Sequence, residues 1–199
     1  MRGQPEPTFA ASACFALSFV AVLLVAACSD GNEATESDER TPGASTATLD
    51  CADSIDAVPV PPESYEAIAD VVALPTSSSA TSALQTRARD EVGGLRLFAK
   101  TGLLVKAGAE ATLVVPQDWR GRLAIGWDNK GEAQPVAVFQ VGPCDVRLGE
   151  WLAFPGGFYV EDASCVPLLI RDGEDEHRVH VGVGAPCEGQ EPPPIPSDL

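Results

Sequence analysis

Short segments in which apolar and polar residues alternate occupy most of the chain beyond residue 65. Leu123, Ile125 and Trp127 share one face of such a segment, and the valines of residues 179–183 repeat the pattern. A period of two over four to eight residues, bounded by turn-forming residues, is typical of a β-strand. Further strand candidates are Ala67–Leu74, Leu95–Lys100, Leu103–Lys106, Ala111–Pro116, Val136–Val141, Glu150–Phe154, Phe158–Val160 and Cys165–Ile170.

Gly, Pro, Asn and Asp separate these segments, as expected of tight turns. Asp128–Gly131 fits a hairpin loop, and Pro155–Gly157 fits a turn. Tyr65–Val72 and Ala80–Val92 are the candidates for a short helix, and the second fits a mobile loop equally well. The sequence predicts an all-β fold, an immunoglobulin-like β-sandwich of short antiparallel strands with room for one short helix.

The N-terminus holds the longest apolar run, Phe15–Ala27, interrupted only by Ser18. A membrane-spanning helix needs about 20 apolar residues, so this run is short for one. An apolar core of this size that follows Arg2 and ends in small residues is typical of a secretory signal. We therefore assign residues 1–27 to a signal peptide.

The run ends in Val25-Ala26-Ala27-Cys28, an aliphatic residue and two small residues before a cysteine. This tetrapeptide resembles the lipobox of bacterial lipoproteins, and the whole chain resembles the small secreted lipoproteins of high-GC Gram-positive bacteria. The resemblance implies cleavage before Cys28 and a diacylglyceryl group on its thiol, hence an anchor in the cell membrane on the extracytoplasmic face. The alternative is a spanning helix with an incidental cysteine.

Three further regions follow the signal peptide. Residues 28–49 are acidic and rich in Ser, Thr and Gly, so they are expected to form a flexible linker after the lipidated Cys28. Residues 50–190 are long enough to bury the core of the predicted sandwich. Residues 191–199 form a Pro-rich tail that is expected to be extended and unpacked.

Four cysteines fall within or beside this domain: Cys51, Cys144, Cys165 and Cys187. An even number in an exported chain predicts disulfide bonds, and the wide spacing disfavours a zinc or redox site. Three pairings are possible. We favour Cys144–Cys165, which closes a local loop, and Cys51–Cys187, which ties the ends of the domain together.

Residues suited to catalysis or metal binding are few. His177 and His180 fall on opposite faces of a strand, so they are poorly placed to chelate one metal ion. The acidic runs at Asp172–Glu176 and around Cys51 (Asp50, Asp53 and Asp56) fit solvated loops better than calcium sites. No known catalytic or phosphate-binding motif is present. We therefore assign no catalytic residue, metal site or cofactor.

The segment around Pro155–Gly157 is the most aromatic part of the chain. Aromatic side chains often anchor binding surfaces, which makes this region a candidate binding face. The alternative is a set of aromatic residues that pack inward, which the alternation within the segment favours. The candidate residues are Trp151, Phe154, Phe158, Tyr159 and Trp119.

The net charge of −16, from 29 acidic and 13 basic residues, argues against nucleic acid as a partner. Export and anchoring together with the lack of catalytic motifs favour a non-catalytic binding module at the cell envelope, with an envelope protein or small ligand as partner. The alternatives are a lipoprotein that binds a small cationic solute and an envelope hydrolase that uses two carboxylates.

Lipid attachment at Cys28 can be tested by metabolic labelling with radioactive palmitate in a bacterial host. We expect the wild-type protein to incorporate label and the Cys28→Ser variant to incorporate none, because a thioether requires the thiol. Cys14→Ser is the matched control and should be labelled normally. Labelling of the Cys28→Ser variant would contradict the assignment.

Overall fold

The computed structural model describes residues 45–130, 134–144 and 150–195. The expected signal peptide, the lipid-modified Cys28 and the linker up to residue 44 lie outside the described residues. Residues 196–199 of the expected tail also lie outside them.

The described residues form twelve strands and two single turns of 3-10 helix, at Cys51–Asp53 and Gln117–Trp119. The predicted all-β class is confirmed. The strands are β1 (Thr46–Thr48), β2 (Asp56–Val58), β3 (Glu66–Ile68), β4 (Val72–Leu74), β5 (Arg87–Val92), β6 (Leu95–Lys106), β7 (Ala111–Val114), β8 (Leu123–Trp127), β9 (Val138–Val141), β10 (Trp151–Val160), β11 (Ser164–Asp172) and β12 (Asp175–Val183).

The strands form two sheets that pack face to face as a sandwich. The smaller sheet has the order β1-β9-β7-β11-β12, and the larger has the order β2-β10-β6-β4-β3 with β5 beside β6 and β8 beside β10. All pairs are antiparallel except β1 with β9, which run parallel. Residues of both sheets, such as Leu113 and Leu168 from the smaller and Leu103 and Phe154 from the larger, share one buried core.

Strand β10 crosses the larger sheet without the turn predicted at Pro155–Gly157. It is paired with β6 along its whole length, from Trp151 opposite Lys106 to Val160 opposite Leu97. The glycines serve close strand packing instead of a change of direction. A Cβ on Gly156 would lie 2.1 Å from the Gly126 carbonyl oxygen, and one on Gly157 would lie 1.9 Å from that of Ala99.

The predicted helices are absent from both candidate segments. Tyr65–Val72 contains β3 and the turn into β4, and Ala80–Val92 contains a loop followed by β5. Pairing of β3 with β4 and of β5 with β6 provides backbone hydrogen-bond partners that override the local helical pattern. The loop after Asp128 does connect antiparallel partners, since Ile125 and Val136 exchange two backbone hydrogen bonds of 2.9 Å, although Gly131 lies outside the described residues.

All four domain cysteines form disulfide bonds, but the favoured pairing was wrong. The bonds are Cys51–Cys144 and Cys165–Cys187. Strands β1 and β9 lie side by side and parallel, so the residues that follow them, Cys51 and Cys144, leave the sheet together. The chain after β12 turns back beside β11, where Gly184 forms a bridge with Ser164, and this brings Cys187 to Cys165.

Both ends of the domain extend beyond the expected boundaries. Thr46–Thr48, assigned from the sequence to the linker, forms β1, and the Leu49 amide donates to the Gln140 carbonyl at 2.8 Å. At the other end the Glu191 amide donates to the Thr81 carbonyl at 2.8 Å. The first residue of the expected unpacked tail is therefore part of the folded domain.

The close approach of β10 can be tested with Gly156→Ala. The new methyl group would overlap backbone atoms of Gly126 and Trp127, so we expect the free energy of unfolding to fall by about 2–3 kcal/mol in chemical denaturation. Gly102→Ala in the same sheet is the control, because its Cβ would meet nothing closer than 3.4 Å. Equal stability of the two variants would contradict the packing argument.

Candidate binding site

A cleft with a volume of about 890 Å³ lies on the outer face of the larger sheet, on the side away from the core. Its lining combines three basic side chains, two acidic ones and two aromatic rings. We call it the arginine cleft. The charged and aromatic residues of its lining are Arg87, Arg89, Lys100, Phe98, Tyr159, Asp90 and Asp128.

The strand register explains why the outer face of the larger sheet has a depression at the arginine cleft. Arg87, Phe98, Tyr159 and Ala124 are cross-strand neighbours and form one row across β5, β6, β10 and β8. In the next row on the same face, Lys100 lies opposite Gly157, which lies opposite Gly126. The following row pairs Gly102 with Pro155. Two rows that carry almost no side-chain bulk therefore lie beside a row that carries two aromatic rings.

Strand β5 forms one wall, and all six of its residues are exposed. Gly93 and Gly94, both with positive φ, form the two-residue turn that returns the chain into β6. Between the pairs Ala88–Leu97 and Val92–Leu95 the register shifts, so β5 carries three residues opposite one residue of β6. Such a bulge redirects side chains. It contains Arg89.

The two arginines of this wall lie over the aromatic rings. The Arg87 guanidinium carbon is 5.4 Å from the centre of the Phe98 ring, and that of Arg89 is 4.9 Å from the centre of the Tyr159 ring. The two rings contact each other at 4.8 Å between centres. Cation–π contact of this kind holds a guanidinium plane in place while its N–H groups remain available.

Tyr159 is buried beneath these arginines. Burial raises the pKa of its hydroxyl, and the neighbouring Arg89 guanidinium opposes that rise. The phenol is neutral at physiological pH, as an ordinary tyrosine is, and the raised pKa keeps it protonated further into the alkaline range.

The cations of the cleft lack the carboxylate partners that most other cations in the described residues have. Arg96, Lys106, Lys130 and Arg171 each form an ion pair with a carboxylate. Within the described ranges no carboxylate oxygen lies within 4.0 Å of the charged nitrogens of the three cleft cations. Among the described lining residues, three cations against Asp90 and Asp128 give a net positive charge, in a protein of net charge −16.

The binding face predicted from the aromatic segment is wrong. Trp151 is 5% exposed, Tyr159 is 2% exposed, and Phe154 and Phe158 are fully buried. Phe154 and Phe158 point into the core between the sheets, as the inward-packing alternative expected. Tyr159 still contributes to the arginine cleft, as part of its floor.

Trp119 and Trp151 lie away from the arginine cleft. Trp151 packs with Ala73 and Leu104 in a small cluster on the outer face of the larger sheet. Trp119 is half-buried in the 3-10 turn before β8, where it packs against the core and the Arg122 guanidinium lies over its ring at 4.6 Å.

The first acidic run, Asp172–Glu176, spans the end of β11, the turn and the start of β12, and the second lies around the first 3-10 turn, where Asp53 is buried. Asp172 and Asp175 face each other at the hairpin between β11 and β12. Around Cys51, the Asp50 carboxylate accepts the Ala52 amide at 3.0 Å, and Lys130 lies 3.5 Å from Asp50 and 3.4 Å from Asp53. The Ala52 hydrogen bond is the main cause of a lowered pKa at Asp50.

The two histidines lie on β12, with His180 exposed and His177 half-buried. Across residues 45–130, 134–144 and 150–195, no three side chains of His, Cys, Asp or Glu come together as a metal site would require. The same part of the chain contains no helix with the length and apolarity needed to cross a bilayer.

Sequence reasoning missed Arg87, Arg89, Phe98 and Lys100. Gly93-Gly94 between two strand-like segments is a hairpin signal that would have placed Arg87 and Arg89 beside β6. The contact of Arg89 and Phe98 with Tyr159 has no local signal, because it depends on the pairing of β6 with β10.

Comparison with known proteins assigns no family to the chain. No protein-family model, curated protein or solved structure matches it.

The buried hydroxyl predicts a dependence of stability on alkaline pH. Because the pKa of Tyr159 is raised on folding, its stabilising contribution is present below the ordinary tyrosine pKa of about 10 and is lost as pH rises through the higher folded value. We expect the melting temperature of the wild type to fall relative to Tyr159→Phe above about pH 10. A constant difference between the two proteins from pH 7 upward would contradict this.

Proposed function

We propose that this protein is a lipid-anchored, extracytoplasmic, non-catalytic binding protein and that the arginine cleft is its ligand site. The ligand is anionic. The observation that carries the proposal is a group of three cations, Arg87, Arg89 and Lys100, that have no carboxylate partner among the described residues of a strongly acidic protein. Two of them, Arg87 and Arg89, are held over aromatic rings.

The arrangement has an electrostatic cost that an anionic ligand would remove. Like charges in one concave site repel each other, and an acidic protein offers many carboxylates that would neutralise them. Guanidinium groups present a planar set of donors that matches carboxylate, phosphate and sulfate groups. The cleft is therefore suited to an anion whose charge is recognised by two or three cations at once.

The small cationic solute considered from the net charge is less well supported. Overall charge describes the average field around the protein, whereas a ligand is held by the charges that line its site. In the arginine cleft the cations outnumber the acidic side chains, three to two. The anionic ligand is therefore the better proposal.

The location of the protein is proposed on separate grounds. Two disulfide bonds support an oxidising compartment, since disulfides rarely persist in the cytosol. The lipobox-like Val25–Cys28 supports membrane anchoring, and the acidic stretch after it would let the domain move above the membrane surface.

The ligand site can be tested with citrate and inorganic phosphate as anionic probes of the full-length protein in a neutral detergent. Binding of a probe to the folded state raises the melting temperature. We expect Arg89→Gln to weaken citrate binding at least about tenfold, which corresponds to about 1.4 kcal/mol. Added NaCl should weaken wild-type binding as well.

Arg178→Gln is the matched control for this experiment. It removes the same charge from an exposed position on β12, in the smaller sheet, and should leave the response unchanged. Equal losses in Arg89→Gln and Arg178→Gln would reduce the effect to net charge and overturn the proposal. A wild-type protein that responds to neither probe would overturn it too.

A further inference from the structure

A second cavity of about 550 Å³ adjoins the arginine cleft along β6. The two share Arg87, Phe98 and Lys100, so they lie next to each other, and we call the pair the groove. We call the second cavity the neutral lobe, because apart from the two shared cations its lining is uncharged. Its hydroxyl- and amide-bearing side chains are Ser64, Tyr65, Thr81, Ser82, Gln85, Thr86 and Thr101.

The neutral lobe occupies a gap along the edge of β6. On this edge β5 pairs with β6 as far as Phe98, and β4 pairs with it from Leu104 onward. Residues 99–103 between these points have neither strand beside them. The rise of an extended strand gives about 20 Å from Phe98 to Leu104, which is long enough for a chain-like ligand.

The far wall of the neutral lobe is the loop of residues 75–86, which is held from behind. The Leu84 amide donates to the Gly182 carbonyl at 2.8 Å, and the Gly184 amide donates back to the Leu84 carbonyl at 2.8 Å. The side-chain amide of Gln190 donates to the Ala80 carbonyl at 2.9 Å. The loop is thus fastened to β12 and to the C-terminal segment, so its hydroxyl groups are preorganised.

We propose that the ligand is an acidic saccharide chain that lies along both lobes, an inference that rests on the proposed function of the arginine cleft. The acid group of a sugar unit would pair with Arg87, Arg89 and Lys100. Hydroxyl groups of the adjoining unit would exchange hydrogen bonds with the uncharged side chains of the neutral lobe. The Tyr65 hydroxyl already contacts the Thr101 hydroxyl at 3.2 Å and the Gln85 side-chain amide donates to the Pro194 carbonyl, so a sugar would use the remaining donors and acceptors of these groups. Tyr65 adds a partly buried ring for the apolar face of a sugar.

An acidic peptide fits the groove less well. The neutral lobe adds no cation beyond the two shared ones, so most of the charges along such a peptide would lie beside hydroxyl and amide groups. An extended peptide would also need free backbone groups along β6. The Thr101 carbonyl already accepts the indole N–H of Trp127 at 3.2 Å.

Calorimetric titration of the full-length protein in a neutral detergent tests the inference with four probes. These are galacturonic acid, tetra-galacturonate, a neutral galactose tetramer and tetra-glutamate. Because a chain engages both lobes at once, we expect tetra-galacturonate to bind at least tenfold more tightly than the monomer. It should also bind at least tenfold more tightly than tetra-glutamate of equal charge or the neutral tetramer.

Variants test the contributions of the two lobes to binding separately. Tyr65→Phe and Gln85→Ala should reduce the ratio between tetramer and monomer affinities severalfold, whereas Arg89→Gln should weaken both probes. Arg178→Gln should change neither affinity, and circular dichroism would verify that each variant is folded. These results would support the saccharide assignment.

The possible failures are distinguishable. Equal affinity for the monomer and the tetramer, or equal affinity for tetra-glutamate and tetra-galacturonate, would overturn the saccharide chain and leave the anion site standing. Binding of the neutral tetramer as tight as that of tetra-galacturonate would overturn the role of the acid group. If none of these probes binds and citrate and phosphate also fail, the proposed function itself is overturned.

Discussion

The close approach of β10 to its neighbours at Gly156 and Gly157 is the constraint on which the rest of the structure depends. A side chain at Gly156 would collide with Gly126 and with the Trp127 ring, whose Cδ1 lies 2.6 Å from the Cβ position. Trp127 contacts Phe139 of the smaller sheet edge-on, with ring centres 5.6 Å apart. The absence of a side chain at Gly156 thus determines where the Trp127 ring lies in the core and how the two sheets pack against each other. Gly156 faces the core, whereas its neighbour Gly157 lies opposite Gly126 on the outer face and leaves space there, so adjacent glycines of β10 serve the core packing and the candidate site separately.

The charge of the arginine cleft is opposite in sign to the net charge of the protein. The net charge of −16 would suggest an affinity for cations, yet the arginine cleft collects three basic groups that have no carboxylate partner among the described residues. Aromatic rings beneath Arg87 and Arg89 replace carboxylates as the groups that hold them. A ring attracts a guanidinium without neutralising its charge, so the charge remains available to a ligand. The acidic remainder of the surface would repel anions elsewhere and favour one site of binding.

Each of the two disulfides fastens an edge of the smaller sheet. Neither joins the two ends of the domain to each other. Cys51–Cys144 spans 93 residues, and in the chain-entropy model a loop of that size contributes about 4–5 kcal/mol. It fastens the turn after β1, the first strand beyond the acidic stretch, to the segment after β9. Cys165–Cys187 spans 22 residues and joins β11 to the segment after β12. That segment in turn holds the loop that forms the far wall of the neutral lobe.

The sequence alone determined the all-β class, most strand positions and the participation of four cysteines in disulfides, because alternation and cysteine number are local properties. It also indicated that Phe154 and Phe158 point inward. The tertiary structure decided the disulfide pairing, the role of Gly156 and Gly157, and the meeting of Arg87 and Arg89 with Phe98 and Tyr159. These features depend on which strands are neighbours and in what register, and register is set by packing between residues far apart in the chain. Alternation within the aromatic segment favoured inward packing, as the fold has it, whereas the cleft formed at residues that carried no motif.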